Sequence, residues 1–192
     1  MASKDAKYDL IIIGGGAAAF SAAIKADMHN VKTALVERAA LGETCVNVGC
    51  VPSKNLLGTA EVLHSVKELP YPYILPCDSG FDFAKTISDK DRLVRSLRKQ
   101  KYQDVVSGLK NIELIKASAA FVSKKRIRLD NGRTLEADKF ILAAGSSPSV
   151  PPFKGIDEVD YLTSNEALSL KAVFNDRHWR QGFGLGIRTN VC

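Results

Sequence analysis

YDLIIIGGGAAAFSAAIKA, Tyr8 to Ala26, opens on an almost unbroken apolar run, crosses three glycines and continues in small helix-forming residues. The run from Tyr8 to Ile13 is what a parallel strand covered on both faces requires. Gly14, Gly16 and Ala19 fit the spacing G-x-G-x-x-G/A, with Gly15 inside the turn. In that pattern the first glycine permits a tight turn and the second lets the backbone approach a pyrophosphate. The small third residue lets the helix pack close to the strand. Phosphates then sit at the helix N-terminus, where N–H groups and the dipole favour anions. KTALVE, Lys32 to Glu37, supplies a second strand that ends in an acid. A carboxylate about 20 residues beyond such a motif accepts hydrogen bonds from a ribose diol. An isolated Gly-rich turn would fit any α/β protein. Strand, turn, helix, strand and terminal acid together predict a dinucleotide-binding α/β fold.

Composition agrees. The chain has 192 residues, 45% of them hydrophobic and 25% charged, the profile of a globular protein with one well-buried domain. The net charge of +6 raises the question of an anionic partner. Lys and Arg are nevertheless spread out, and KKRIR (Lys124 to Arg128) is the one dense cluster, which reads as a solvated strand end. Nucleic acid is therefore not an expected partner. No run approaches the roughly 18 apolar residues needed to cross a membrane. The N-terminus has the lysines and apolar stretch of an export signal, but Asp9 and the three glycines interrupt it. The expected compartment is the reducing cytoplasm, where a cysteine pair is catalytic or metal-binding more often than structural.

Two of the four cysteines lie in LGETCVNVGCVPSKNLL, Leu41 to Leu57. Cys45 and Cys50 would be turned far apart on a regular helix, so a bridge between them needs the first turn loosened into a loop. VNVG supplies turn formers there, and Pro52 suits the first turn of a following helix. A thiol at that helix N-terminus would be reactive. Lys54 follows Cys50 by one helical turn, on the same face, where it would add positive charge beside a thiolate or an electron-rich ring. Three readings stand beside one another: a zinc site, for which His or further Cys ligands at characteristic spacing are missing nearby; a structural disulfide or inert thiols; and a redox-active dithiol working with the bound dinucleotide.

GETCVNVGCVPSK resembles the active-site signature of the flavin-dependent pyridine nucleotide–disulfide oxidoreductases, and the resemblance covers roughly residues 7 to 171. That family includes dihydrolipoamide dehydrogenase, glutathione reductase and mercuric reductase. KYQDVVSG (Lys101 to Gly108), SSPSVPPFKGI (Ser146 to Ile156) and YLTSNEAL (Tyr161 to Leu168) look most like the mercuric reductase branch. The resemblance implies that Gly14, Gly16, Ala19 and Glu37 hold the ADP half of FAD. The backbone around Ala39, the Thr44 hydroxyl and the chain near Ala119 would add contacts. Cys50 would be the thiolate facing the flavin, Cys45 the thiol that exchanges with substrate, and Lys54 would sit near the flavin N5. Reducing equivalents would come from NADPH, and the substrate would be Hg(II), held transiently by Cys45 and Cys50, or a disulfide. Members of the family are homodimers. One departure lies inside the signature. Glu43 stands where the family has glycine, so a glycine-only backbone conformation would be strained there, and its charge would repel a pyrophosphate.

DFAKTISDKDRLVRSLRKQKYQDVVSG, Asp82 to Gly108, has the spacing of a surface helix. Cys77, in a Pro-rich loop, reads as an incidental thiol. The segments from Ile112 to Gly145 read as β-structure, with Asn131–Gly132 as a hairpin turn, and the expected fold is a Rossmann-like parallel sheet with an inserted or appended antiparallel β-meander. FILAAGSSP, Phe140 to Pro148, is expected to return to the sheet as a buried strand and to close the FAD domain near Gly145. The FAD domain is thus expected over 1–172. Residues 173–192 show neither strand nor helix pattern, and His178 and Cys192 match no family position. They read as an aberrant tail in place of the NADPH-binding and dimer domains. Codons for this tail, read with the first base dropped, can spell an apolar strand entering a Gly-rich turn, so a frameshift near Val173 is expected. The polypeptide as written is then expected not to complete turnover.

Overall fold

The computed structural model describes residues 6–68, 73–74 and 80–172. Cys77 and the expected frameshifted tail, with His178 and Cys192, lie outside the described residues. The elements in chain order are β1 (Ala6–Ile13), α1 (Ala17–Met28), β2 (Thr33–Glu37), α2 (Thr44–Asn47), α3 (Cys50–Lys67) and α4 (Phe83–Arg98). A π-turn (Lys99–Gln103) then leads to α5 (Asp104–Gly108), β3 (Ile112–Lys116), β4 (Ala119–Ser123), β5 (Arg126–Leu129) and β6 (Thr134–Leu142). A 3₁₀ turn (Ile156–Glu158) and α6 (Ser164–Ala167) follow. The chain divides into two compact units, one of Met1–Asn47 and Arg95–Val150, the other of Val48–Val94 and Pro151–Cys192.

The first unit contains a six-stranded sheet of order β3-β2-β1-β6-β5-β4. Pairing is parallel among β3, β2, β1 and β6, and antiparallel from β6 through β5 to β4. The predicted α/β class, parallel sheet and appended antiparallel meander are all present. Ile11 and Ile12 point to opposite faces of β1, and both are fully buried. That is the two-sided cover the apolar run called for, and each such side chain contributes roughly 1.5–3 kcal/mol. On α1 the buried Ala19, Ala23 and Ala26 recur at helical spacing. Asn30, with φ 56°, ends the helix in the left-handed conformation, and Val31 N–H bonds back to the Ala26 carbonyl at 3.0 Å.

Asn131–Gly132 forms the predicted hairpin turn, with Gly132 at φ 83° and Leu129 N–H donating to Arg133 O at 2.8 Å. One reading needs correction. β6 is one continuous strand of nine residues, paired on one edge with β1 from Leu135 to Leu142 and on the other with β5 from Thr134 to Glu136. Its return to the sheet is as expected, but it is not buried along its length. Ile141 is 37% and Leu142 68% exposed. The dense basic cluster is the solvated start of β5, as expected, where Lys125 pairs with Asp138 and Arg126 with Glu136, each at 2.8 Å.

The second unit contains α3, most of α4 and α6. Lys90 is buried on α4, where its ammonium donates to the Leu168 carbonyl at 2.7 Å and pairs with Asp91 at 2.6 Å. Thr163 caps α6, its hydroxyl accepting from Asn165 N–H while Glu166 accepts from Thr163 N–H. No helix among the described residues is long and apolar enough to cross a membrane.

Candidate functional site

The parallel strands end together: Ile13 lies beside Val36 and Leu142, and Glu37 beside Lys116. In open α/β sheets the ligand crevice lies just beyond such carboxyl ends. Gly14 follows immediately, at φ 116°, and donates to the Val36 carbonyl at 2.8 Å. A Cβ there would overlap the Ala143 carbonyl oxygen and sit 2.6 Å from its carbon. Gly14 is thus required twice, by conformation and by space. Gly15 is packed too: a Cβ would meet Glu37 Cγ at 2.8 Å and Leu41 Cδ2 at 3.0 Å.

Gly16 differs. It is the N-cap of α1, no side chain caps the helix, and a Cβ would find nothing within 4 Å. The opening lies where helix N–H groups and the dipole favour an anion, so the turn fits a pyrophosphate. Ala19 is fully buried on the sheet side of α1, as close helix–strand packing needs. Glu37 ends β2 with its carboxylate accepting from Ala39 N–H at 2.6 Å. This places Glu37 and Ala39 together beside Gly15. Gly145 lies beyond β6 at φ 72° and is exposed.

Ala119 starts β4, opposite Leu129, with its side chain against the core. The residue brought to Glu37 is Ala117, whose N–H donates to the Glu37 carbonyl at 3.1 Å. Sequence reading missed Ala117, and also Ala143, because both act through backbone alone.

Glu43 is not strained: Asn30 is the sole non-glycine with positive φ among the described residues, and the left-handed position is Gly42, at φ 109°. Thr44 is exposed at the start of α2. Cys45 follows on the same single turn, half-buried, and that turn closes through Asn47 N–H on the Glu43 carbonyl at 3.1 Å. The expected loosened segment is therefore confined to Val48–Gly49, since Val46 and Asn47 are helical. In the second unit Cys50 opens α3 and is exposed, with Lys54 exposed one turn on. Pro52 is buried in the first turn, and the Ser53 hydroxyl donates to Gly49 O at 2.6 Å. No cluster of His, Cys, Asp and Glu that would hold a metal ion occurs among the described residues.

A second set of contacts surrounds the Cys45 turn, and the sequence reading gave it no role. Arg98 Nε donates to Asn47 Oδ1 at 2.9 Å, and Asn47 Nδ2 donates to the Leu41 carbonyl at 3.2 Å. Tyr102 is buried, its ring edge-on to Phe20 at 4.9 Å between centroids. Burial raises the Tyr102 phenol above its ordinary pKa, and the Glu43 carboxylate adds to this while Glu43 backbone opposes it.

The family model described as pyridine nucleotide-disulphide oxidoreductase matches residues 8–177. The chain is 46% identical over 166 residues to a mercuric reductase of Lysinibacillus sphaericus, covering 86% of this chain and 30% of that protein. It is 43% identical over 171 residues to the mercuric reductase of Staphylococcus aureus, covering 89% of this chain and 31% of that one. Among solved structures it resembles the HOCl-induced flavoprotein disulfide reductase RclA from Escherichia coli, with a TM-score of 0.70 and 27% identity, over 86% of this chain and 34% of the other. The chain spans about a third of the length of these relatives.

Proposed function

The chain belongs to the pyridine nucleotide-disulphide oxidoreductase family, and from that premise we propose that it forms the FAD-binding part of a mercuric-reductase-like enzyme, over residues 1–172. The observation that carries this reading is the open space at Gly16 on an uncapped helix start, with Glu37 fixed beside the same turn. Gly14, Gly15 and Gly16 cradle the pyrophosphate of FAD, Ala19 sets the helix close, and Glu37 takes the ribose. Ala39, Thr44, Ala119 and Gly145 complete the cofactor contacts. FAD bound there supplies hydride acceptance from NADPH and delivery of the electron pair to the dithiol.

Cys50 serves as the thiolate toward the flavin, from its exposed place at the start of α3. Lys54, one turn on, adds positive charge beside it. Cys45, on its own helical turn, exchanges with substrate. Thiolates are soft ligands and Hg(II) a soft ion, so the pair suits mercury chemically. Reduction of Hg(II) to Hg(0) is supported by the identity to mercuric reductases; reduction of a disulfide substrate is the reading favoured by the structural likeness to RclA.

Purified polypeptide titrated with FAD should bind it about one to one and turn yellow. A preparation that stays colourless in excess FAD overturns the cofactor reading. Protection of Cys45 and Cys50 from alkylation by one equivalent of Hg(II), but not by lipoamide or glutathione disulfide, is the expected substrate result; the reverse pattern assigns a disulfide.

A further inference from the structure

Tyr102 reaches its position through an irregularity in the helix that carries it. Burial recurs at Ile87, Lys90 and Val94, and the half-buried Leu97 and Arg98 continue it at helical spacing. The five-residue π-turn Lys99–Gln103, marked by Asp104 N–H donating to the Lys99 carbonyl, carries the buried Tyr102, and Val106 is buried on the turn that follows. Such turns cost hydrogen-bond geometry and occur often at functional sites. Here the turn delivers a large aromatic ring to a glycine. A Cβ on Gly42 would lie 3.1 Å from both Cδ2 and Cε2 of Tyr102. Gly42 sits at φ 109°, donates to the Gly15 carbonyl at 2.9 Å and leads directly into the turn that bears Cys45.

We propose that Tyr102 is the positioning residue of the Cys45 turn: its ring, backed edge-on by Phe20, is the wall that holds Gly42 left-handed and so fixes the direction in which α2 leaves the glycine turn. Arg98 works from the preceding turn of the same helical segment, holding Asn47 at the other end of α2. One end of α2 is thus fixed by a ring and the other by a guanidinium. Both supports come from the region around the π-turn, and Cys45 lies between them. The functional meaning rests on the dithiol reading above, but the geometry and its test need neither flavin nor mercury.

The test is iodoacetamide labelling of the pre-reduced full chain, with adducts assigned to Cys45 or Cys50 by fragment mass spectrometry. In Tyr102→Ala the Cys45 rate, taken relative to Cys50, should rise about fivefold as the turn loosens. Tyr102→Phe keeps the ring and should stay within about twofold of the parent. Val106→Ala, a truncation at an equally buried position one turn away, should leave the ratio unchanged. Should Tyr102→Ala not be recovered folded, Tyr102→Leu fills similar volume without a flat wall and is held to the same outcome. An unchanged ratio in the alanine or leucine variant overturns the assignment. So does a Phe variant that behaves like Ala, or a Val106→Ala ratio that rises equally.

Discussion

At the residue scale, three adjacent glycines do three different things. Gly14 is held by its conformation and by the Ala143 carbonyl, Gly15 by the Glu37 side chain, and Gly16 by nothing in the protein. Gly14→Ala should therefore cost on the order of 3 kcal/mol or more in urea unfolding, combining left-handed strain with a backbone clash. Gly16→Ala should unfold within about 1 kcal/mol of the parent, since it changes an N-cap that makes no side-chain bond. Its FAD affinity should nonetheless fall at least about tenfold, because the methyl occupies the phosphate's space. If Gly16→Ala bound FAD as the parent does, the pyrophosphate would not lie over that residue.

Tyr8 offers a residue-scale prediction in pH. Burial first, and then the Glu113 carboxylate that accepts its hydroxyl at 2.6 Å, push its pKa up to about 12. A raised folded pKa means that the associated stability is complete below the unfolded value near 10 and is lost as pH climbs toward 12. The loss should be on the order of 1–2 kcal/mol after solvent screening. Unfolding of wild type and Tyr8→Phe at pH 9 and 11 isolates it: the gap between the two proteins should narrow at pH 11. A constant gap would remove the linkage.

At the element scale, what was legible in the sequence was what is local. The turn after β1, the acid ending β2 and the Asn131–Gly132 hairpin each require particular residues within a few positions, and each was found where expected. β6 runs from the hairpin straight into the parallel sheet, paired with β1 from Leu135 onward and with β5 only over Thr134–Glu136, and no residue type marks where the second edge loses its partner. The strain expected at Glu43 falls one residue earlier, at Gly42, because the left-handed step precedes the turn. What Tyr102 touches is a glycine distant in sequence, which no local pattern reveals. α6 shows a similar mix, its Thr163–Glu166 capping box local and its Lys90 tether remote. Lys90→Met keeps the stem and removes the ammonium, so the Leu168 carbonyl loses a charged donor worth about 1.5–3 kcal/mol. Amide exchange at Ala167 and Leu168 should accelerate accordingly. Unchanged exchange would show that the capping box alone holds this turn.

At the scale of the whole molecule, the predictions separate binding from turnover. The glycine-rich strand-to-helix turn at Gly14–Gly16 is the proposed FAD site, which one nucleotide fills. NADPH then has to be received elsewhere. The 192-residue polypeptide should accordingly take up FAD and be bleached by dithionite, yet keep its yellow colour under anaerobic NADPH. Raising ionic strength from 50 to 500 mM should weaken FAD binding only modestly. The reason is that the proposed site would meet the phosphates with backbone N–H groups rather than with the chain's spread of surface lysines, whose attraction salt would screen. Fast bleaching by NADPH would place a second nucleotide site within this chain, and a steep salt dependence would move the phosphate contact from the Gly16 opening to surface cations.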